Sequence, residues 1–210
     1  FKRLGVVGDF ENYYSTMSFD AEAQIVRELG KFLLDGSLYQ GFKPVFWSTV
    51  EKTALADAEV EYKDHTSNTI YVAFKVKKTN QDFLKDSSVV IWTTTPWTIP
   101  ANKALAFNSS IEYSVIEISE LDHFKEKKIV VATNLIESIT QACEIKNYKI
   151  LNTFKGKELS GTVCTHPFIK MNFNYDVPML DAQFVNLEQG TGIVHCAPSH
   201  GPDDFNLCLK

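Results

Sequence analysis

Ionisable side chains are concentrated in one short segment of the chain, residues 190–205, which reads GTGIVHCAPSHGPDDF. His195, His200, Asp203 and Asp204 follow a brief apolar stretch that predicts a buried strand. The glycines and prolines among them favour a tight turn, which would display all four side chains around one bend. Histidine and carboxylate groups can bind a cation or exchange protons, so this loop is a candidate functional site.

A second candidate segment is 91–102, which reads IWTTTPWTIPAN. Thr93, Thr94 and Thr95 close an apolar strand predicted over 89–92, and the two prolines after them are expected to hold the chain extended. Threonine hydroxyls donate and accept hydrogen bonds without carrying charge, which suits the oxygens of an ester, a ribose or an attacking water. The alternative is a β-branched strand end without a functional role, and spacing alone favours it.

The remaining pattern predicts many short strands and few helices. Helices are predicted over 19–34, where apolar residues form one stripe, over 134–143, with Asn134 as a candidate cap, and from Asp203 onward. A surface loop with aromatic residues is predicted over 170–175. Further strands are predicted over 44–47, 70–76, 104–107, 112–118, 128–133, 148–154, 161–164 and 179–185. The pattern is typical of a mixed α/β fold with a β-barrel-like core of mixed strands and peripheral helices.

Composition restricts the classes of function. The 210 residues are 44% hydrophobic and 22% charged, as in ordinary soluble globular proteins. No apolar run approaches the roughly 20 residues that span a bilayer, so we expect no membrane partner. A net charge of −5 argues against tight nonspecific binding of nucleic acid. Four cysteines without a CxxC pair indicate neither a disulfide framework nor a common zinc motif, and they suit a reducing cytoplasm.

Three motifs together resemble the isoleucyl-tRNA synthetases, specifically the editing (CP1) domain inserted into their catalytic domain. They are TTTPWTIPAN at 93–102, GTGIVHCAPSHGPDDF at 190–205 and TALADAEVEY at 53–62. Thr95, Trp97 and the HCAP run at 195–198 favour the isoleucyl members over valyl and leucyl relatives. Some members hold zinc through a cysteine pair where this chain has residues 48–51, STVE, so the resemblance implies no metal and no cofactor for this domain.

The resemblance implies the editing-domain fold of class Ia synthetases, with a helix-containing connecting segment at 1–45 and the editing domain at 46–210. The chain begins at Phe1 without Met and ends inside a predicted helix, so we expect a fragment. The ATP-binding signatures of the aminoacylation site are missing, which leaves ATP-dependent ligation of isoleucine to the rest of the synthetase. The implied setting is a cytoplasmic monomer.

The implied activity is hydrolysis of Val-tRNA(Ile), with valyl-adenylate as a second candidate substrate, by a positioned water. Isoleucine would be excluded by size. Because one methylene is worth only about 1–3 kcal/mol to a binding pocket, a second sieve is needed, and this enzyme family is the standard example. The implied partners are the 3′ end of aminoacylated tRNA(Ile), valine as the rejected amino acid, and the remainder of the synthetase.

The resemblance also assigns roles to single residues. Asp204 would anchor the substrate ammonium, Thr95 would contact the amino acid, and His195 would line the side-chain pocket or orient the water. Helix capping is the alternative role for Asp204, although Asp203 is the better candidate for a cap. The further substrate-binding candidates are Trp92, Thr93, Thr94, Thr98, Asn102 and His200.

Two other hypotheses stay open. A metal-dependent hydrolase would use His195, Cys196, His200, Asp203 and Asp204 as ligands, whose donor types suit zinc although their spacing matches no common motif. Activity that EDTA removes and zinc restores would support it. A noncatalytic module for the tRNA end would bind charged tRNA without shortening the lifetime of its ester.

Overall fold

The computed structural model describes residues 1–118, 124 and 126–209, and the chain divides into two units, Phe1–Phe42 and Lys43–Lys210. The first unit contains helix α1, Phe19–Leu34, with the bounds that the apolar stripe predicts. Asp20 and Glu22 lie in its first turn, where carboxylates interact favourably with the helix dipole. No residue of α1 is buried. Among the described residues, no helix is long and apolar enough to cross a membrane.

The second unit is built on a nine-stranded mixed sheet, beside a separate antiparallel pair, β1 (Trp47–Ser48) and β2 (Thr53–Ala54). The strands of the large sheet are β3 (Ile70–Lys78), β4 (Ser88–Thr93), β5 (Ala104–Phe107), β6 (Glu112–Ile118), β7 (Lys128–Ala132), β8 (Tyr148–Lys155), β9 (Val163–Thr165), β10 (Asp176–Asp181) and β11 (Val194–Cys196). Their spatial order is β11-β5-β10-β9-β3-β4-β7-β6-β8. The pairs β10–β5 and β4–β7 are parallel, and the other pairs are antiparallel.

The sheet curls, so that the chain entering β11 returns to the middle strands. Strand β11 packs against β4 as well as pairing with β5. Just before it, the carbonyl of Thr191 accepts a hydrogen bond from the Ala132 amide at 2.8 Å, and Tyr113 donates its hydroxyl to the Gly192 carbonyl at 2.8 Å. The mixed sheet with few helices confirms the predicted α/β class. No ladder joins β8 to β11 in the described part, so hydrogen bonds do not close the predicted barrel there.

Strands β4, β5 and β7 carry the centre of the core. Their sequences SVVIWT, ALAF and KIVVA are nearly continuous apolar runs, and nearly all of their residues are buried. Such runs are expected where both faces of a strand are covered. Strand β4 ends at Thr93 and β5 begins two residues after Asn102, so the threonine segment connects two strands of the buried core.

Two strand predictions need correction. The stretch 44–47 forms no strand before Trp47, where the short β1 begins, because it has no long partner strand within its unit. The strand predicted over 179–185 is β10 at Asp176–Asp181, since its ladders to β9 and β5 end there. Ala182 and Val185 are buried next to a turn instead of in a strand, and burial gives strands and turns the same apolar signal.

The prolines and the helix caps also differ from expectation. Pro96 and Pro100 lie in a 3-10 helix, Pro96–Ala101, because the proline φ of about −65° fits that helix as well as an extended chain. Helix α2 is Ile136–Ala142, and its N-cap is Leu135 instead of Asn134. Helix α3 is Pro202–Cys208 with Gly201 at its N-cap and no side-chain cap bond, so Asp203 does not cap it.

Gly192 lies where the curl of the sheet leaves no space for a side chain. Its φ is +73°, and a Cβ there would lie 2.4 Å from the Cβ of Ala132 on β7. Gly190 has a similar φ of +81°, but its Cβ would meet Trp92 at an ordinary 3.5 Å. The two glycines therefore share the backbone constraint and differ in the close approach.

We expect Gly192→Ala to lower the free energy of unfolding by about 3 kcal/mol, since strain from the positive φ adds to overpacking against β7. Gly190→Ala is the matched control and should cost only about 1 kcal/mol, from its φ alone. Urea unfolding of both variants measures the difference. Equal losses would show that β7 moves away without cost and that the contact does not hold the curl.

Candidate active site

The threonine segment and the His195 segment meet at the end of the sheet. Antiparallel pairing of β11 with β5 places His195 opposite Leu105. From there the ring of His195 reaches the 3-10 helix, with Nε2 2.8 Å from the Thr98 hydroxyl and Nδ1 3.0 Å from Asn102 Nδ2. The structure thus brings together two segments that are nearly a hundred residues apart in sequence.

The hydrogen-bond network determines the tautomer of His195. Asn102 Nδ2 donates one hydrogen to the Ala104 carbonyl at 2.9 Å, which fixes the orientation of the amide, and its other hydrogen points to His195 Nδ1. Nδ1 is therefore an acceptor, and the neutral ring carries its proton on Nε2. That proton goes to Thr98 Oγ1, whose own hydrogen is donated to the Thr95 carbonyl at 2.9 Å.

Burial keeps this ring uncharged. Desolvation lowers the pKa of His195 from 6.5 to about 4, and the charges of His200 and His166 act in the same direction. The side chain is 9% exposed, and both ring nitrogens contact protein groups. His195 is consequently a rigid, neutral surface with no nitrogen free to take a proton from a substrate.

The threonines of residues 93–98 differ in whether their side chains join this hydrogen-bond network or face the solvent. The hydroxyls of Thr93 and Thr95 are 3.2 Å apart, and the Thr95 amide donates to Thr93 Oγ1 at 3.0 Å. The Thr95 hydroxyl also lies 3.5 Å from that of Thr98. Thr93 and Thr98 are buried and Thr95 is half-buried, whereas Thr94 is exposed and makes no side-chain hydrogen bond to a described residue. Thr95 is thus the hydroxyl of the network that a ligand can reach.

Asp204 joins the site through the backbone that follows β11. Its Oδ2 accepts a hydrogen bond from the Ala197 amide at 2.8 Å, two residues after His195. Desolvation raises the pKa of Asp204 above its usual value, the Ala197 bond opposes this, and the charge of Asp203 adds to it. Oδ1 makes no hydrogen bond within the described ranges. The carboxylate is therefore partly desolvated, with one oxygen available to a cation.

The remaining candidates lie at the edge of the site. Trp92 is half-buried, and a side chain added at Gly190 would meet its ring at ordinary contact distance. His200 is exposed, and its Nδ1 lies 3.1 Å from the neighbouring Ser199 hydroxyl. Cys196 is fully buried, and burial raises the pKa of its thiol, which excludes it as a ready nucleophile.

The ligands of the metal hypothesis are not assembled. In the ranges that the structure describes, no three His, Cys, Asp or Glu side chains are arranged to hold one metal ion. His195 has both nitrogens bonded to protein, and Cys196 lies on the opposite face of β11. The donor set that suits zinc in composition is therefore dispersed in space.

His166 lies behind the 3-10 helix and is a site residue that the sequence pattern did not predict. This residue is fully buried and directs Nε2 to the Ile99 carbonyl at 3.0 Å. The available signal was the run of aromatic residues just after it, because Phe173 and Tyr175 pack on its ring. The segment 170–175 is a surface loop as predicted, with Lys170, Met171, Asn172 and Asn174 exposed, and its two aromatic side chains are half-buried by packing.

Comparison with known proteins identifies the family. The model of tRNA synthetases class I (I, L, M and V) matches residues 1–189. The chain belongs to this family. Among class I synthetases, the isoleucine–tRNA ligase of Pelagibacter ubique (strain HTCC1062) is 70% identical over 210 residues, and that of Gluconobacter oxydans (strain 621H) is 50% identical over 216 residues. These relatives confirm the resemblance to isoleucyl-tRNA synthetases.

The match covers all of this chain but only part of each synthetase. The chain spans 23% of the Pelagibacter enzyme and 22% of the Gluconobacter enzyme. Among solved structures, the P. knowlesi cytosolic leucyl-tRNA synthetase editing domain aligns with a TM-score of 0.49 at 15% identity, over 65% of this chain and 59% of that one. The P. falciparum editing domain aligns with a TM-score of 0.46 at 20% identity, over 59% and 46%.

The lowered pKa of His195 predicts how stability depends on pH. The folded state binds this proton less readily than the unfolded state, so stability is full above pH 6.5 and is lost as the pH falls towards 4, by about 3 kcal/mol for a shift from 6.5 to about 4. His195→Asn removes the titrating group and should flatten this dependence. Urea unfolding of both proteins at about pH 7, 5.5 and 4.5 gives the difference.

Subtracting the unfolding free energy of the variant from that of wild type separates the contribution of His195 from that of Asp204. The raised pKa of Asp204 acts with the opposite sign, because the folded state takes up that proton more readily, and it is common to both proteins. Parallel curves for wild type and variant would contradict the assignment of a buried, neutral His195.

Proposed function

We propose that the chain is the editing part of an isoleucyl-tRNA synthetase and hydrolyses the valyl ester of mischarged tRNA(Ile). The observation that carries the proposal is the network of His195 with Thr98 and Asn102, joined to the Asp204 carboxylate through Ala197. It lies in a chain 70% identical to an isoleucine–tRNA ligase. Valyl-adenylate carries the same amino acid and is the second substrate proposed for this site.

Asp204 is proposed to bind the free ammonium of the aminoacyl group. A partly desolvated carboxylate gains more from a cation than an exposed one, and it forms a charge-assisted hydrogen bond with it. The Ala197 amide holds Oδ2 in place, which leaves Oδ1 for the substrate. The same contact would favour aminoacyl over acyl esters, since an uncharged acyl group would leave the carboxylate without its partner.

The hydrolytic water is proposed to attack directly, without a covalent intermediate. Cys196 is buried and protonated, and both nitrogens of His195 are bonded to protein, so neither supplies a nucleophile or a base. Of the two roles expected for His195, the geometry favours lining the pocket over orienting the water. Thr95 offers the accessible hydroxyl next to this wall, so we assign to it the contact with the ester or the water. Catalysis would then rest on positioning.

Size exclusion is proposed to depend on the rigidity of His195. A wall that can move would admit the extra methylene of isoleucine, whereas a ring bonded at both nitrogens resists displacement. The net charge of −5 suits a site that grips only the 3′ end of the tRNA, with the remainder of the synthetase binding the rest. That remainder would also carry the ATP-dependent ligation of isoleucine. A cytoplasmic monomer remains the prediction for the setting.

Asp204→Asn should lower the rate of Val-tRNA(Ile) deacylation by about one to two orders of magnitude, because the amide keeps an acceptor for Ala197 but lacks the charge that holds the ammonium. Asp203→Asn is the matched control, since it removes the adjacent, exposed carboxylate. Its rate should stay close to wild type. Equal losses in both variants would show that only the net charge of the loop matters.

This assay uses the 210-residue chain and, in parallel, the Pelagibacter ubique enzyme carrying this chain in place of its matching segment. EDTA is present throughout, so a metal-dependent hydrolase would be inactive and would regain activity with zinc. A noncatalytic module would bind Val-tRNA(Ile) without shortening the lifetime of its ester. Absence of deacylation in both forms would overturn the proposed function.

His195→Ala should allow Ile-tRNA(Ile) into the site. Removing the ring opens space for one methylene, so a preference for the valyl ester of about 10- to 200-fold should fall to a few-fold. The ratio of the two deacylation rates is the measurement, and it corrects for any general loss of activity. A ratio that stays at its wild-type value would show that another residue forms the wall.

A further inference from the structure

Two side chains outside the proposed site hold its backbone from behind. His166, just after β9, donates from Nε2 to the Ile99 carbonyl at 3.0 Å. Tyr175, just before β10, donates its hydroxyl to the Asn102 carbonyl at 2.7 Å. The Ile99 carbonyl also accepts a hydrogen bond from the Asn102 amide at 3.0 Å. His166 and Tyr175, called the brace below, therefore hold both backbone groups of Asn102: Tyr175 directly at the carbonyl, and His166 through Ile99 at the amide.

The brace is itself tightly built. His166 accepts the Phe168 amide at Nδ1, 3.1 Å away, which fixes its proton on Nε2. Its ring stacks on Phe173 at 4.8 Å with 15° between the planes, and Lys103 lies 4.0 Å above the ring of Tyr175. His166 is fully buried and has no free nitrogen, so it is oriented by the fold before any ligand binds.

We propose that His166 and Tyr175 are positioning residues for hydrolysis, which act by fixing Asn102 and, through its side-chain amide, the tautomer of His195. The path from Tyr175 consists of three contacts: Tyr175 to the Asn102 carbonyl, Asn102 Nδ2 to His195 Nδ1, and His195 Nε2 to Thr98. If the backbone at Asn102 shifts, we expect the hydrogen bond between Asn102 Nδ2 and His195 Nδ1 to break first, because it requires the amide and the ring to stay aligned.

This inference rests on the proposed function where deacylation is measured. The tautomer of the His195 ring provides a second readout that does not require activity. Tyr175→Phe is the main variant because it removes one hydroxyl and keeps the ring. Tyr148→Phe is the matched control: Tyr148 lies on edge strand β8, and its hydroxyl makes no hydrogen bond within the described residues. Deacylation of Val-tRNA(Ile) is measured in the chain and in the Pelagibacter chimera described above.

Tyr175→Phe should lower kcat by about tenfold while KM changes by less than about twofold, since misplaced groups cost rate more than binding. Tyr148→Phe should change neither constant. His166→Phe, which keeps the aromatic packing, should lower kcat in the same way. His166→Gln can still donate to Ile99 and should recover part of the loss. A thermal melt of each variant separates these effects from unfolding.

The second readout is the ¹⁵N chemical shifts of the His195 ring. Wild type should show one neutral tautomer with the proton on Nε2, and Tyr175→Phe should show a mixture of both. A folded Tyr175→Phe variant with wild-type kcat and an unchanged tautomer would overturn the inference. If wild type itself deacylates nothing, the proposed function has failed, and the tautomer comparison alone then decides whether the brace exists. If His166→Phe does not fold, Tyr175→Phe and His166→Gln decide.

Discussion

The candidate site depends on how the two hydrogens of one buried amide are used. Asn102 Nδ2 donates to the Ala104 carbonyl and to His195 Nδ1, so the start of strand β5 and the ring of the histidine are tied to the same nitrogen. The amide oxygen is buried and has no hydrogen-bond partner in the described part of the chain. Rotation of this amide is disfavoured, because it would set the amide oxygen against the carbonyls of Ala104 and Cys196, which lie 2.9 and 3.5 Å from Nδ2.

This constraint explains why neutral groups dominate the site. His195 is desolvated and uncharged, and the threonine hydroxyls relay hydrogen bonds without charge. Asp204 is the exception, a carboxylate whose burial is only partly offset by the Ala197 amide. Under the proposed function, Asp204 would recognise the substrate ammonium, the neutral walls would select the size of the amino acid, and the proton transfers would be left to the water and the substrate.

Local patterns predicted much of the framework and few of the contacts that make the site. Helix α1 follows from its apolar stripe, although none of its residues is buried, and strands β5 and β6 follow from apolar residues that the sheet buries. The prediction of an extended chain at Pro96 and Pro100 was wrong, because a proline φ is compatible with both an extended chain and a 3-10 helix. His166 was missed because its partner, the Ile99 carbonyl, is a backbone group 67 residues away, and no side-chain pattern records it.

The separation of Thr98 and His195 by 97 residues also bears on how the site forms. Closing so long a loop costs chain entropy before the contact returns any energy, so the network is expected to assemble after the local hairpins β3–β4 and β6–β7. The hydrogen bond between Ala197 and Asp204 comes from the very end of the unit. Because α3 follows all of these strands along the chain, synthesis supplies the Asp204 carboxylate only after the strands that carry the rest of the candidate site.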